Sequence, residues 1–236
     1  MATHDTLPYR TALIIGAGVG ISASLARAFS REGLKVGLVA RDSSKLEKLA
    51  GETGASVFSA DASQPAAVAQ LFTDVDARLG EPDVVVYNAS SRVQGSVAEI
   101  DPATVRDALT ITALGGFLAV QQAAKRMIPR GRGALLLTGA SASIKGFAGS
   151  SAFAMGKFAL RGLAQSAARE LGPKGIHVAH FIIDGMVRSP RRPDPTQHPD
   201  STLNPDSIAQ AYVDVLRQPR DAWSFEVDLR PWVETF

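Results

Sequence analysis

Glycines at 16, 18 and 20 stand between an apolar run, Thr11–Ile15, and a stretch whose apolar residues Ile21, Leu25, Ala28 and Phe29 recur at helical spacing. A glycine turn in that position lets the backbone bend tightly and approach a pyrophosphate. The helix behind it offers unpaired N–H groups and the positive end of its dipole. A second apolar run, Lys35–Ala40, follows soon after, so the turn sits in the strand–turn–helix–strand setting that phosphate binding needs. Other chemistries find less support. The chain has no cysteine, which excludes disulfides, thiolate metal sites and a thiol nucleophile. No Ser-His-Asp arrangement or metal-ligand spacing is readable, so no metal is expected. His177 and His180 lie three apart in one apolar run; as strand residues they point to opposite faces and read as structural. Tyr87 ends a strand at the edge where ligands bind, and Lys145 and Asp184 fall near the predicted cleft.

These residues need a scaffold, and its elements alternate. Continuous apolar runs at Thr11–Ile15, Lys35–Ala40, Ala55–Ser59, Asp83–Tyr87, Gly133–Thr138 and Ile176–Ile183 read as strands buried on both faces. Helical patterns lie between them: from Ile21, at Lys45–Ala50 with Ser43 as its cap, at Ala66–Leu79, at Pro102–Met127 and at Ser151–Leu171. A last helix, Ser207–Leu216, and a short strand, Ser224–Leu229, follow. The fold class predicted is α/β: a doubly wound, Rossmann-type, mainly parallel seven-stranded sheet in a three-layer α/β/α sandwich. Residues 1–236 form one nucleotide-binding domain, without repeat or linker. Arg188–Asp206 breaks the rhythm with Pro190, Pro193, Pro195, Pro199 and Pro205. It lies beyond the sixth strand, where a loop over residues 186–206 would cover a substrate.

Composition narrows the class further. Hydrophobic residues make up 45% of the 236 and charged ones 20%, enough apolar material for one core. The net charge of +2 is too small to argue for nucleic acid or a membrane surface as partner. No uninterrupted apolar run reaches membrane-spanning length and Met1–Asp5 does not open a signal peptide, so a reducing, cytoplasmic address is expected.

Over essentially its whole length the chain resembles the short-chain dehydrogenase/reductase family. The family's first turn, T-G-x-x-x-G-x-G, is matched by Gly16-Ala-Gly18-Val-Gly20-Ile21, with Ser22 in place of the last glycine. Asp61-Ala62 resembles the family's aspartate that meets the adenine. Asn88-Ala89-Ser90 matches N-N-A-G, and Asp184-Gly185 resembles the P-G after the sixth strand, with Val187 and Ser189 beyond it. The resemblance implies that Gly16, Gly18, Gly20, Ile21, Arg41, Asp61, Ala62, Asn88, Ala89, Ser90, Lys157, Gly185 and Val187 hold a nicotinamide cofactor. Members that prefer NAD place an acid at the end of the second strand. Here Ala40 stands there, followed by Arg41, whose guanidinium suits a 2′-phosphate. NADP(H) is therefore expected over NAD(H).

The resemblance breaks at the residues that move the proton. The family's quartet is Asn, Ser, Tyr and Lys, with the last two four apart on one helix face. Lys157 is present, but Phe153 takes the tyrosine's position and has no ionisable proton. Ala140 falls where the serine belongs, leaving Ser141 as its neighbour, with Ser143 a weaker candidate. Thr112 stands where the asparagine belongs. Three functions fit: an NADP(H)-dependent oxidoreductase of atypical mechanism acting on a small organic substrate through Ser141, Lys157 or water; a cofactor-binding pseudoenzyme; or a lyase or isomerase on the same scaffold. The family commonly self-associates, and Leu109, Leu114, Phe117, Phe158, Leu163 and Ala167 supply more apolar helix surface than one core needs, which predicts a homodimer or homotetramer.

Overall fold

The computed structural model describes residues 6–189 and 192–234; Met1–Asp5 and the loop residues Pro190 and Arg191 lie outside them. Strands β1 (Thr11–Ile15), β2 (Lys35–Ala40), β3 (Ser56–Ser59), β4 (Val84–Tyr87), β5 (Gly133–Thr138), β6 (Ile176–Ile183) and β7 (Glu226–Leu229) form one sheet in the order β3-β2-β1-β4-β5-β6-β7. The predicted seven strands are present. Each adjacent pair is parallel, so the expected "mainly parallel" sheet is parallel throughout.

The unbroken apolar runs have a direct cause. Alternate residues of a strand face opposite sides, and helices cover both sides here. Ala12 and Ile14 of β1, with Val84 and Val86 of β4, enter one core; Leu13 and Ile15, with Val85 and Tyr87, enter the other. The first core is closed by α1 (Ile21–Arg31), α2 (Glu47–Thr53) and α7 (Pro205–Leu216). The second is closed by α3 (Pro65–Leu79), α5 (Gly115–Arg130) and α6 (Ser151–Leu171). A further helix, α4 (Pro102–Leu109), leads into α5.

Two helices depart from expectation. The segment before α2 opens as a 3₁₀ turn at Ser43–Leu46, capped by the Asp42 carboxylate, which accepts from the Ser44 N–H at 3.3 Å. Ser43 is not the cap, because a carboxylate one residue earlier claims the free N–H. The stretch expected as one helix from Pro102 to Met127 runs on to Arg130 but widens into a π turn at Thr110–Leu114. Residues 102–130 are long and apolar enough, by length and composition, to cross a bilayer. The inward side of that stretch, with Leu118, Ala119, Ala123 and Met127, packs instead into the second core.

The proline-rich stretch after β6 is tied to itself. Val187 pairs with Leu203, Arg188 binds Asp194 at 2.7 Å, and the Asp194 carboxylate accepts from the Asp200 N–H and the Thr202 hydroxyl. Arg188, which the sequence leaves open between attracting an anionic substrate and facing water, is thus paired with Asp194.

Candidate functional site

The strand order reverses between β1 and β4, because β2 and β3 continue to one side of β1 and β4 to β7 to the other. Connections leave in opposite directions at such a point and open a crevice at the carboxyl ends of the strands. A cleft of about 800 Å³ occupies that place. Of the residues expected to hold a cofactor, Gly16, Gly18, Arg41, Asp61, Ala62, Asn88, Ala89 and Ser90 line it, and so does Ser189. Gly20, Ile21, Lys157, Gly185 and Val187 lie off its lining. Gly20 starts α1, Gly185 packs on Pro231, and Val187 is engaged with Leu203.

The turn is built for close approach. Gly16 has φ +87°, and a Cβ there would overlap the Ala89 backbone, so no other residue lets β1 and β4 end this near each other. Gly16 and Ala17 donate their N–H groups to the Val39 carbonyl at 3.0 and 2.7 Å. Ser22, the residue in place of the family's last glycine, has a task of its own. Its hydroxyl donates to the Gly16 carbonyl at 3.0 Å and accepts from Asn88 Nδ2 at 2.7 Å, which ties the turn to the end of β4.

Both signs of charge meet at the cleft's outer end. Asp61 accepts from the N–H and hydroxyl of Ser63, and these bonds hold its carboxyl below the usual range, so it stays anionic. Asp42 turns toward Ser44 and Lys45, pairing with Lys45 at 3.0 Å; Arg41 forms no ion pair among the described residues, and its charge helps hold the Asp61 carboxyl low. Lys45 lines the cleft beside Arg41. The sequence offers Asp42 as a partner that could neutralise Arg41, and the structure gives it to Ser44 and Lys45 instead. Sequence reasoning missed Lys45, Ser91 and Ile111 on the cleft; a lysine at a helix start carries no signal of its own until β1 and β2 are packed.

The residues expected at the quartet positions lie off the cleft lining, with Thr112 tied to the lining residue Ser91. Lys157 is buried, and its Nζ donates to the Thr138 carbonyl at 2.7 Å. Burial without a counter-ion lowers its pKa to about 8. Nζ stands 5.8 Å from the centroid of the Phe153 ring, so the expected common helix face for these residues is present. Ser143 is fully buried and accepts from the Ala140 N–H at 3.1 Å, which commits its oxygen to the turn; half-buried Ser141 begins that turn. Thr112 is buried within the π turn, and its hydroxyl oxygen accepts from the Ser91 N–H at 3.2 Å.

The tyrosines and histidines that the sequence offers as other proton donors are buried or bonded elsewhere among the described residues. Tyr87 is fully buried and donates to the Ile111 carbonyl; Tyr212 is fully buried against the Thr138 hydroxyl at 2.9 Å. Burial raises both phenol pKa values, as it does that of Tyr9. Lys145 and Asp184 pair with each other at 3.7 Å, and Arg230 joins Asp184 at 3.6 Å. His177 donates from Nε2 to the Ser224 carbonyl at 2.8 Å and stacks on Trp223. His180 is fully buried, with Nδ1 3.0 Å from Glu226, which is itself held by Arg161 at 2.7 Å.

His180 gives the fold a pH signature. Burial, outweighing Glu226, lowers its pKa to about 4, so it is neutral in the native state. Between pH 6.5 and 4 the unfolded chain takes up a proton that the native chain does not. Stability therefore falls as pH drops through that window, by about 3 kcal/mol from this group. Urea unfolding from pH 7.5 to 4 should show the loss, and His180→Gln, which can still donate to Glu226, should make it smaller by this group's share, leaving that of His177, whose pKa burial also lowers. Parallel wild-type and variant curves would refute the assignment.

The fold and the cleft define a dinucleotide-binding α/β protein, and comparison with known proteins narrows the class. The short-chain dehydrogenase profile matches residues 10–198, so the chain belongs to the short-chain dehydrogenase/reductase family. It is 34% identical over 199 residues to a short-chain dehydrogenase/reductase of Armillaria gallica, covering 80% of this chain and 76% of that one. The crystal structure of a short-chain dehydrogenase from Rhodopseudomonas palustris superposes with a TM-score of 0.82 at 34% identity, over 94% of this chain and 99% of the other. A metagenomic short-chain oxidoreductase in complex with NADP superposes with a TM-score of 0.85 at 27% identity, over 98% and 100%.

Proposed function

We propose that this chain is an NADP(H)-dependent oxidoreductase of atypical mechanism, acting on a small organic substrate without a tyrosine proton relay. One observation carries the cofactor choice. Arg41 and Lys45 flank the cleft at the end of β2, where Ala40 supplies no carboxylate and Asp42, though on the lining, is held by Ser44 and Lys45. The NADP complex of the metagenomic relative supports the same choice. When bound, a nicotinamide cofactor supplies or accepts a hydride; the chain's part is to bind, orient and exclude water. Gly16, Gly18 and the start of α1 receive the pyrophosphate, and Arg41 receives the 2′-phosphate. Hydride transfer to a carbon acceptor, such as an enone, suits a site that lacks the phenol, because the proton can then arrive from water or Ser141. The loop over residues 186–206, with Ser189 on the cleft, covers the substrate.

Phe153 and Ala140 favour a second reading, a cofactor-binding pseudoenzyme that acts through a partner. A cofactor-oxidation screen over carbonyl and enone compounds, with NADPH binding measured alongside, separates the two. Turnover of any enone supports the first; tight binding with no turnover across the panel supports the second.

Self-association is part of the same proposal. Leu114, Phe117, Met155 and Phe158 are exposed on α5, α6 and the π turn, Phe117 by 45% and Phe158 by 43%. Ala167 is buried and Leu163 packs on the second core, so these two leave the expected set. Leu109 is half-buried. Light scattering at micromolar concentration should give a dimer or tetramer, and Phe117→Glu with Phe158→Glu a monomer. A monomeric wild type would refute it.

A further inference from the structure

The segment leaving β4 carries Arg92, an exposed residue just beyond the cleft-lining Ser90 and Ser91. Its guanidinium carbon stands 5.6 Å from the centroid of the Phe153 ring, the same ring that Lys157 approaches to 5.8 Å. Two cations therefore share one phenyl ring. Neither has an acidic partner among the described residues: Lys157 donates to the Thr138 carbonyl, and Arg92 has the ring contact alone. Other described arginines, Arg41 and Arg31 for example, also form no ion pair; what sets Arg92 apart is the ring it shares with the buried Lys157. The segment is anchored on both sides of Arg92, by the Ser91 N–H to Thr112 at 3.2 Å and the Gly95 N–H to the Gly149 carbonyl at 2.9 Å. A cation held in place without a counter-charge, over an apolar ring, lacks only an anion.

We propose that Arg92 binds the acid group of an anionic organic substrate whose apolar part rests against Phe153. A guanidinium grips carboxylate, sulfonate or phosphate oxygens bidentately, and the phenyl ring supplies contact area without competing for the hydrogen bonds. Lys157, buried beneath, puts a second positive charge within 5.8 Å of the same ring. The proposal deepens the oxidoreductase reading and rests on it: the carbonyl or enone to be reduced is carried by a molecule that bears an acid group.

Benzoate and its neutral counterpart benzamide test the assignment when titrated calorimetrically into NADP⁺-saturated protein. Benzoate should bind the wild type at least about tenfold more tightly than benzamide. Arg92→Ala should weaken benzoate about tenfold and leave benzamide unchanged, and Arg92→Lys should recover part of the loss. NADP⁺ titrated separately into wild type and Arg92→Ala should give equal dissociation constants, because Arg92 is off the cleft lining; this also reports that the variant is folded. If NADP⁺ binds both proteins but benzoate affinity is the same in each, or benzoate shows no advantage over benzamide, the role of Arg92 is overturned and the cofactor reading stands. If NADP⁺ fails to bind the wild type, both fall.

Discussion

Arg41→Asp should invert the cofactor preference. In the wild type the Arg41 guanidinium stands at the cleft without an ion pair among the described residues, since Asp42 is taken by Ser44 and Lys45 and Asp61 feels it only as a nearby charge. A charge-assisted hydrogen bond is worth about 1.5–3 kcal/mol, and a 2′-phosphate offers Arg41 two. The substitution removes both bonds and sets a carboxylate against the phosphate. NADP⁺ affinity should therefore fall by about 10²-fold or more. NAD⁺ should bind more tightly than it does to the wild type, because the new carboxylate can accept from ribose hydroxyls. Lys45 moderates the loss only slightly. Its side chain is 78% exposed and already paired with Asp42, and such surface charges contribute about 0–1 kcal/mol. Calorimetric titration of both cofactors into both proteins reads the result directly. Equal wild-type dissociation constants for NADP⁺ and NAD⁺ would sink the assignment before the variant is made.

That so much of the fold, and the place of the cleft, was legible follows from how a doubly wound sheet is encoded. Strands such as β5 and β6 bury every side chain, so their runs are apolar from end to end and their bounds can be read directly. The bounds of α6 match the periodic pattern as well. The glycine turn is legible because the close approach of Gly16 to Ala89 admits no other residue. What escaped the sequence depends on tertiary partners. The π turn at Thr110–Leu114 has no mark in composition; there the Tyr87 hydroxyl takes the Ile111 carbonyl and Thr112 turns inward to Ser91. The pairing of Arg188 with Asp194 could not be foreseen either, because the loop's own turns bring them together. Lys45 and Arg92 look like solvated surface charges until strand ends and helices place them beside the cleft and the Phe153 ring.

Phe153→Tyr should not by itself create a competent alcohol dehydrogenase, and the reason is local. The wild type should oxidise no simple alcohol with NADP⁺ at any pH, since the phenyl ring beside Lys157 has no proton to exchange. Tyrosine at 153 would gain a phenol whose pKa the neighbouring ammonium lowers, but Ala140 offers it no hydroxyl. Ser143 does not fill the gap, because it is buried and caps the turn through the Ala140 N–H. Hydrogen bonds made to charge developing in the transition state are worth about 10²–10³ in rate each. Phe153→Tyr with Ala140→Ser should therefore exceed Phe153→Tyr alone by well over about tenfold in NADP⁺-linked oxidation of a panel of secondary alcohols. Restoring the third position is a different matter. Thr112 is buried, and a Cβ added at Gly156 would lie only 3.0 Å from its Cβ, so Thr112→Asn crowds α6 at an overpacking cost of about 1–3 kcal/mol. The double variant is for that reason the sharper test. Adding Lys157→Met to it should abolish the gained activity, because the lysine acts there through the phenol. Robust alcohol oxidation by the wild type, or a double variant whose activity survives Lys157→Met, would show that the proton moves by a route that does not pass Phe153.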